Sequence, residues 1–92
     1  MTSCEVPITN TLGMHARAAA RFVHAATAFS SRIRVGCKGR EIDGKSIMGL
    51  LLLAAARGTT IVITADGRDE AGAVAALKTL VERGFEEDAP CA

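Results

Sequence analysis

His15 is the residue around which this sequence can do chemistry. It stands in Leu12-Gly13-Met14-His15-Ala16-Arg17-Ala18-Ala19, where a strand-like segment gives way to an Ala-rich helical one. An imidazole there faces the first N–H groups of a helix, which have no acceptor within the helix itself. A guanidinium follows two residues later. The helix start carries about half a positive charge, which disfavours charge on the ring and favours the neutral, nucleophilic imidazole. Such a ring can attack phosphorus. The phosphoryl oxygens, carrying nearly two negative charges, would then meet the backbone N–H groups of Ala16 and Arg17. The Arg17 side chain would add a charge-assisted contact. Phosphoryl transfer asks mainly for positioning and charge stabilisation, which a small domain can supply. His15 and Arg17 are therefore the candidate reactive pair. Gly13 lets the backbone turn and approach closely. The plainer role for a histidine at this place is a helix cap or a solvent-facing side chain. His24 lies about two and a half turns further on and is read as a surface residue.

No nucleotide-binding loop and no pair of carboxylates accompanies this site, so nothing in the sequence would hold ATP or Mg²⁺, and no cofactor is expected. The reading is of a stoichiometric recipient and donor of phosphate rather than an enzyme, with larger partners completing each reaction centre.

The elements that must position His15 follow from periodicity. Cys4, Val6 and Ile8 alternate with Glu5, Pro7 and Thr9, as in a strand, and Pro7 suits an edge. Residues 10–13 read as a loop. From Ala16 to about Ala28, Ala19, Phe22, Val23, Ala26 and Phe29 form an apolar helical stripe, with Arg17, Arg21 and His24 off it. Arg32–Cys37 and Arg40–Asp43 read as a hairpin turned at Lys38-Gly39. Ser46 is placed to cap a second helix over Ile47–Arg57, closed by Gly58. Thr59–Ala65 is rich in β-branched residues and reads as a fourth strand. Asp69 can cap a third helix running to about Glu82, stopped by Gly84, with Phe85 folding back on its last turn. The order βαββαβα predicts an α+β domain: a four-stranded, mainly antiparallel sheet with three helices on one face. A single domain is expected over residues 1–88, and 89–92 are read as a disordered tail.

Composition narrows the function classes. With 92 residues, 49 % of them apolar, the chain can close one small core. A net charge of +1 gives no electrostatic case for nucleic acid. No apolar run reaches the roughly 18 residues of a membrane span, and the N-terminus lacks the pattern of a signal peptide. Cys4, Cys37 and Cys91 show no Cys-x-x-Cys spacing. They read as reduced thiols of a cytoplasmic protein, not as a metal site.

The second helix carries another signal. Residues 47–56 are apolar all the way round, and in so small a domain one face must meet water. Some of Ile47, Met48 and Leu51 are expected to be exposed to a partner, and Arg17 and Arg21 beside them would suit an acidic one. Phosphate on Ser46 would be tolerated at the helix start, yet would set negative charge beside this patch.

Gly13-Met14-His15-Ala16-Arg17, followed by Gly44-Lys45-Ser46-Ile47-Met48-Gly49-Leu50-Leu51, resembles the two signatures of the HPr family, the histidine-containing phosphocarriers of the bacterial phosphoenolpyruvate-dependent phosphotransferase system. The likeness spans nearly the whole chain. It implies an open-faced β-sandwich. It further implies that His15 takes phosphate from Enzyme I on Nδ1 and passes it to a IIA domain, with Arg17 steadying the phosphohistidine. Ser46 matches the serine that HPr kinase/phosphorylase modifies, and Ile47, Met48, Leu51, Ala20 and Arg17 match the family's partner surface. A monomer is expected. The family has Pro where this chain has Ala18, which removes pre-organisation from the helix start but no reacting group. Ile8-Thr9-Asn10 and Gly84-Phe85-Glu86-Glu87-Asp88 resemble the nitrogen-related form, whereas residues 44–48 resemble the sugar-type or kinase-regulated form. Two other readings stay open. One is a non-catalytic regulatory module acting through the Ser46 helix. The other is a ferredoxin-like binder of RNA or metal, which the absence of sheet aromatics and paired cysteines disfavours.

Overall fold

The computed structural model describes residues 1–53 and 55–86. The elements are β1 (Thr2–Pro7), α1 (Ala16–Thr27), β2 (Arg32–Cys37), β3 (Arg40–Asp43), α2 (Ile47–Leu53), β4 (Thr60–Asp66) and α3 (Glu70–Glu82), followed by a short 3-10 turn at Gly84–Glu86. All strand pairs are antiparallel, in the order β1-β4-β2-β3. This is the expected βαββαβα order. The reading of 89–92 as a tail falls outside the described residues.

Period-two alternation decides which side of the sheet is covered. Val6, Ile33, Val35, Ile61 and Ile63 point to the helices and are fully buried. Their neighbours Glu5, Arg32, Arg34 and Glu41 face solvent on the open side, where Arg34 meets Glu41 at 2.9 Å. Helix α1 closes the core with Ala18, Ala19, Phe22 and Ala26, and α3 with Ala73, Val74, Leu77 and Val81. Phe85 is fully buried at the end of α3. It reaches that place through left-handed backbone at Gly84 (φ 63°) and at Phe85 itself (φ 58°). The apolar pattern therefore located the core, although Val23 and Phe29 are only half-buried at its rim.

Two expectations are corrected. Helix α2 does not run to Arg57: it is helical over Ile47–Leu53, and residues 55–59 lie outside it. The Ala55 carbonyl accepts the Met14 N–H at 2.8 Å, Gly58 N–H donates to Ile8 O, and Ile8 N–H donates to Thr59 O. The segment after α2 spends its polar groups on the loop before α1. Asp69, in turn, stands at the N-cap position of α3 but makes no side-chain bond to that helix. Its carboxylate accepts from the Ser30 and Ser31 amides at 2.8 and 2.9 Å, and from the Ser31 hydroxyl, so it ties the α1–β2 turn to the start of α3.

Those bonds, with the Ser31 hydroxyl foremost, lower the Asp69 carboxyl from 3.8 to about 2. The folded state therefore binds this proton less readily than the unfolded chain does. Its stabilising contribution is complete above about pH 4 and is lost as pH falls through 2. An Asp69→Asn protein should melt below wild type at pH 7, with the gap narrowing as pH falls through that window. Thermal melts from pH 7 to pH 2 would show it, and a gap that stays constant with pH would remove this role from Asp69.

Candidate functional site

His15 is the N-cap of α1, in extended backbone (φ −86°, ψ 179°). Its Nδ1 accepts the Arg17 N–H at 3.3 Å, the side-chain-to-N2 bond typical of an N-cap. The ring is half-exposed. Nδ1 is thus the ring nitrogen aimed at the helix amides, and that bond is long enough to be given up easily. Ala16 and Arg17, whose amides open the helix, are both exposed.

The loop that presents His15 is fixed by backbone contacts. Gly13 has φ +65°, and a Cβ there would lie 2.6 Å from Ala55 O and 3.0 Å from Ala56 Cα. The Gly13 carbonyl accepts from the His15 N–H at 2.9 Å and from Asn10 Nδ2 at 2.8 Å. Met14, the intervening residue, is buried. The imidazole is consequently held from behind by a loop seated on residues 55–58. This explains why α2 stops early.

Arg17, Arg21 and His24 recur at spacings of four and three along the exposed side of α1. With Ala20, Ala25 and Leu80 they line an open groove of about 590 Å³. Arg21 is anchored there: its Nη1 donates to Phe85 O at 2.7 Å. The structure thus sets His24 in line with the two arginines, on the side of α1 away from its apolar stripe.

On α2, Ile47 and Met48 are exposed as expected, at 43 % and 67 %. Leu51 is half-buried against the core, and Leu52, which the sequence did not single out, is 65 % exposed. Leu12, in the loop before His15, is 69 % exposed. Helices α1 and α2 run antiparallel: Lys45 Nζ reaches Phe29 O at 2.7 Å past the end of α1, while Ala55 meets Met14 at its start. Ser46 therefore sits about 10 Å of helix away from the end of α2 that supports His15. Its Oγ accepts the Gly49 N–H at 3.0 Å, so it caps α2.

The family model described as PTS HPr component phosphorylation site matches residues 2–83. This chain belongs to the HPr family. Among curated relatives, the phosphocarrier protein HPr of Xylella fastidiosa is 48 % identical over 88 residues, covering 96 % of this chain and 99 % of the relative. That of Neisseria meningitidis is 45 % identical over 87 residues, covering 95 % and 98 %. The crystal structure of HPr-C-His from Thermoanaerobacter tengcongensis superposes with a TM-score of 0.91 at 40 % identity, covering 96 % of this chain and 99 % of that one. HPr proteins are carriers of phosphate. The four antiparallel strands and three helices here are the HPr architecture. Among the described residues no helix is long and apolar enough to cross a membrane. Cys4 and Cys37 are free thiols, half-buried and buried, and burial pushes the Cys4 thiol up. Cys91 lies outside the described residues.

Proposed function

We propose that this HPr-family chain accepts a phosphoryl group from Enzyme I on His15 Nδ1 and passes it to a IIA domain, acting as a monomeric cytoplasmic carrier and not as an enzyme. The observation that carries the proposal is the Arg17 N–H bonded to His15 Nδ1 at the mouth of α1. The Nδ1 lone pair attacks phosphorus, the P–N bond forms, and the bond from phosphorus to the donor breaks. The lone pair is then used, so the Arg17 N–H is released and can turn to a phosphoryl oxygen, joined by the Ala16 N–H. The Arg17 guanidinium supplies the balancing charge. Exposed Ile47, Met48 and Leu52 on α2, with Ala20, Arg17 and Arg21 on α1, offer an apolar and basic docking surface. Phosphate added to Ser46 by an HPr kinase/phosphorylase would act on docking rather than on the imidazole, since it lies at the far end of α2.

The test is incubation with Enzyme I and phosphoenolpyruvate, followed by intact-mass measurement. One added phosphate is expected, labile to acid and stable to base. A protein that gains none, or gains an acid-stable phosphate, would refute the reading. An Arg17→Ala variant should fold normally, since the side chain is exposed and Ala is a good helix former. Its transfer rate should fall about tenfold or more through the lost charge-assisted contact. An unchanged rate in rapid-quench kinetics would remove Arg17 from the mechanism.

A further inference from the structure

Among the described residues, the groove along α1 sets the arginine charges of Arg17 and Arg21 beside no carboxylate. Arg17, Arg21 and His24 line it over an apolar floor of Ala20, Ala25 and Leu80, and none of these lining residues carries a carboxylate. The described chain ends at its rim. Left-handed backbone at Gly84 and Phe85 turns the polypeptide off the axis of α3 and back toward α1. There Arg21 holds the Phe85 carbonyl at 2.7 Å. The residues that follow are Glu86-Glu87-Asp88-Ala89-Pro90-Cys91-Ala92, with three consecutive acids first. From Glu86, which closes the 3-10 turn, a chain reaching to Asp88 can span up to about 7 Å. Arg17 lies one helical turn, about 6 Å, from Arg21 on the same face of α1.

We propose that the acidic segment Glu86-Glu87-Asp88 docks in this groove of its own chain and competes there with acidic partners for Arg17 and Arg21. Charge complementarity, the anchored exit point and the reach of the segment all favour this occupant. A short tether gives it a high effective concentration, on the order of millimolar, against any partner in free solution. Exposed pairs of this kind are individually weak and screened by salt. The segment would thus set a threshold for docking without blocking it. The consequence for phosphate transfer rests on the carrier reading above, whereas the docking itself does not.

The experiment compares full-length wild type with the triple variant Glu86→Gln, Glu87→Gln, Asp88→Asn by ¹H–¹⁵N spectroscopy, without any partner. Shift differences are expected at the Arg17, Arg21 and His24 amides and at the arginine Nε–H groups, and should vanish in 0.5 M NaCl. Differences confined to residues 84–92, or unaffected by salt, would overturn the proposal. In a second arm, Enzyme I should phosphorylate the variant about two- to fivefold faster than wild type at low ionic strength, with equal rates at high salt. Equal rates at low salt would overturn the competition while leaving the carrier reading intact. Absence of transfer to either protein would refute the carrier reading alone, because the shift differences do not depend on it.

Discussion

A His15→Ala protein is expected to take up no acid-labile phosphate, falling from one phosphoryl group per chain to none while remaining folded. The side chain leaves a half-exposed position, so no cavity forms. Among the described contacts, the fold loses the bond between Nδ1 and the Arg17 N–H. Losing an N-cap costs about 0.5–2 kcal/mol, and a 3.3 Å bond belongs at the low end. The melting temperature should therefore drop by only a few degrees. His15→Asn separates the two roles more sharply. An Asn carbonyl oxygen is a better cap than imidazole yet no nucleophile, so this variant should match wild-type stability and still accept nothing. If either variant were labelled as well as wild type, phosphate would be landing elsewhere. Partner binding supplies the contrast with a purely regulatory module. Such a module would respond to Ser46→Asp and be indifferent to loss of phosphorylation at His15.

Gly13→Val should damage both stability and transfer. The new Cβ would lie 2.6 Å from Ala55 O and 3.0 Å from Ala56 Cα, and it would have to adopt φ +65°. Both neighbours are backbone, so neither can swing aside as a side chain could. Left-handed backbone costs roughly 1–2 kcal/mol for a non-glycine residue, and overpacking typically adds 1–3 kcal/mol. A loss of about 3 kcal/mol would lower the melting temperature by more than 10 °C. The transfer rate should fall further than the folded fraction does, because the Gly13 carbonyl holds the His15 amide and the Asn10 side chain. Moving residue 13 moves the imidazole. A melting temperature within two degrees of wild type, with normal transfer, would mean the loop can shift away from residues 55–58 at little cost.

The parts of this molecule that rest on local patterns were legible beforehand. Alternation set Val6 and Ile8, both buried, apart from the exposed Glu5, Pro7 and Thr9. Ser46 was recognisable as a cap from its type and place, and Lys38-Gly39 as a turn, with both residues at positive φ in the structure. The fold-back of Phe85 followed from a lone aromatic beyond a glycine stop. What stayed hidden depends on distant partners. Nothing near Ala55 in the sequence says that α2 must already have ended by that residue. The reason is Met14, whose amide needs the Ala55 carbonyl. Asp69 had the correct residue type for a cap, but Ser30 and Ser31 offered it more donors than its own helix did. Leu51 and Leu52 differ in exposure because the phase of an all-apolar helix cannot be read without knowing which side its neighbours occupy. At the candidate site, His15 and Arg17 were readable from adjacency. The grouping of Arg17, Arg21 and His24 with the end of α3 needed the tertiary arrangement.

The strand order has an implication for biogenesis. Among the described residues strand β1 pairs only with β4 and stands at the sheet edge, although α1, β2, β3 and α2 all intervene in the chain. On a translating ribosome the first strand must wait, unmated, until its hydrogen-bonding neighbour emerges. Closing so long a loop is slow compared with forming the β2–β3 hairpin. Until it closes, Val6 and the rest of the inward face of β1 stay wet. That interval is when a chaperone, or another nascent copy, has its opportunity to bind.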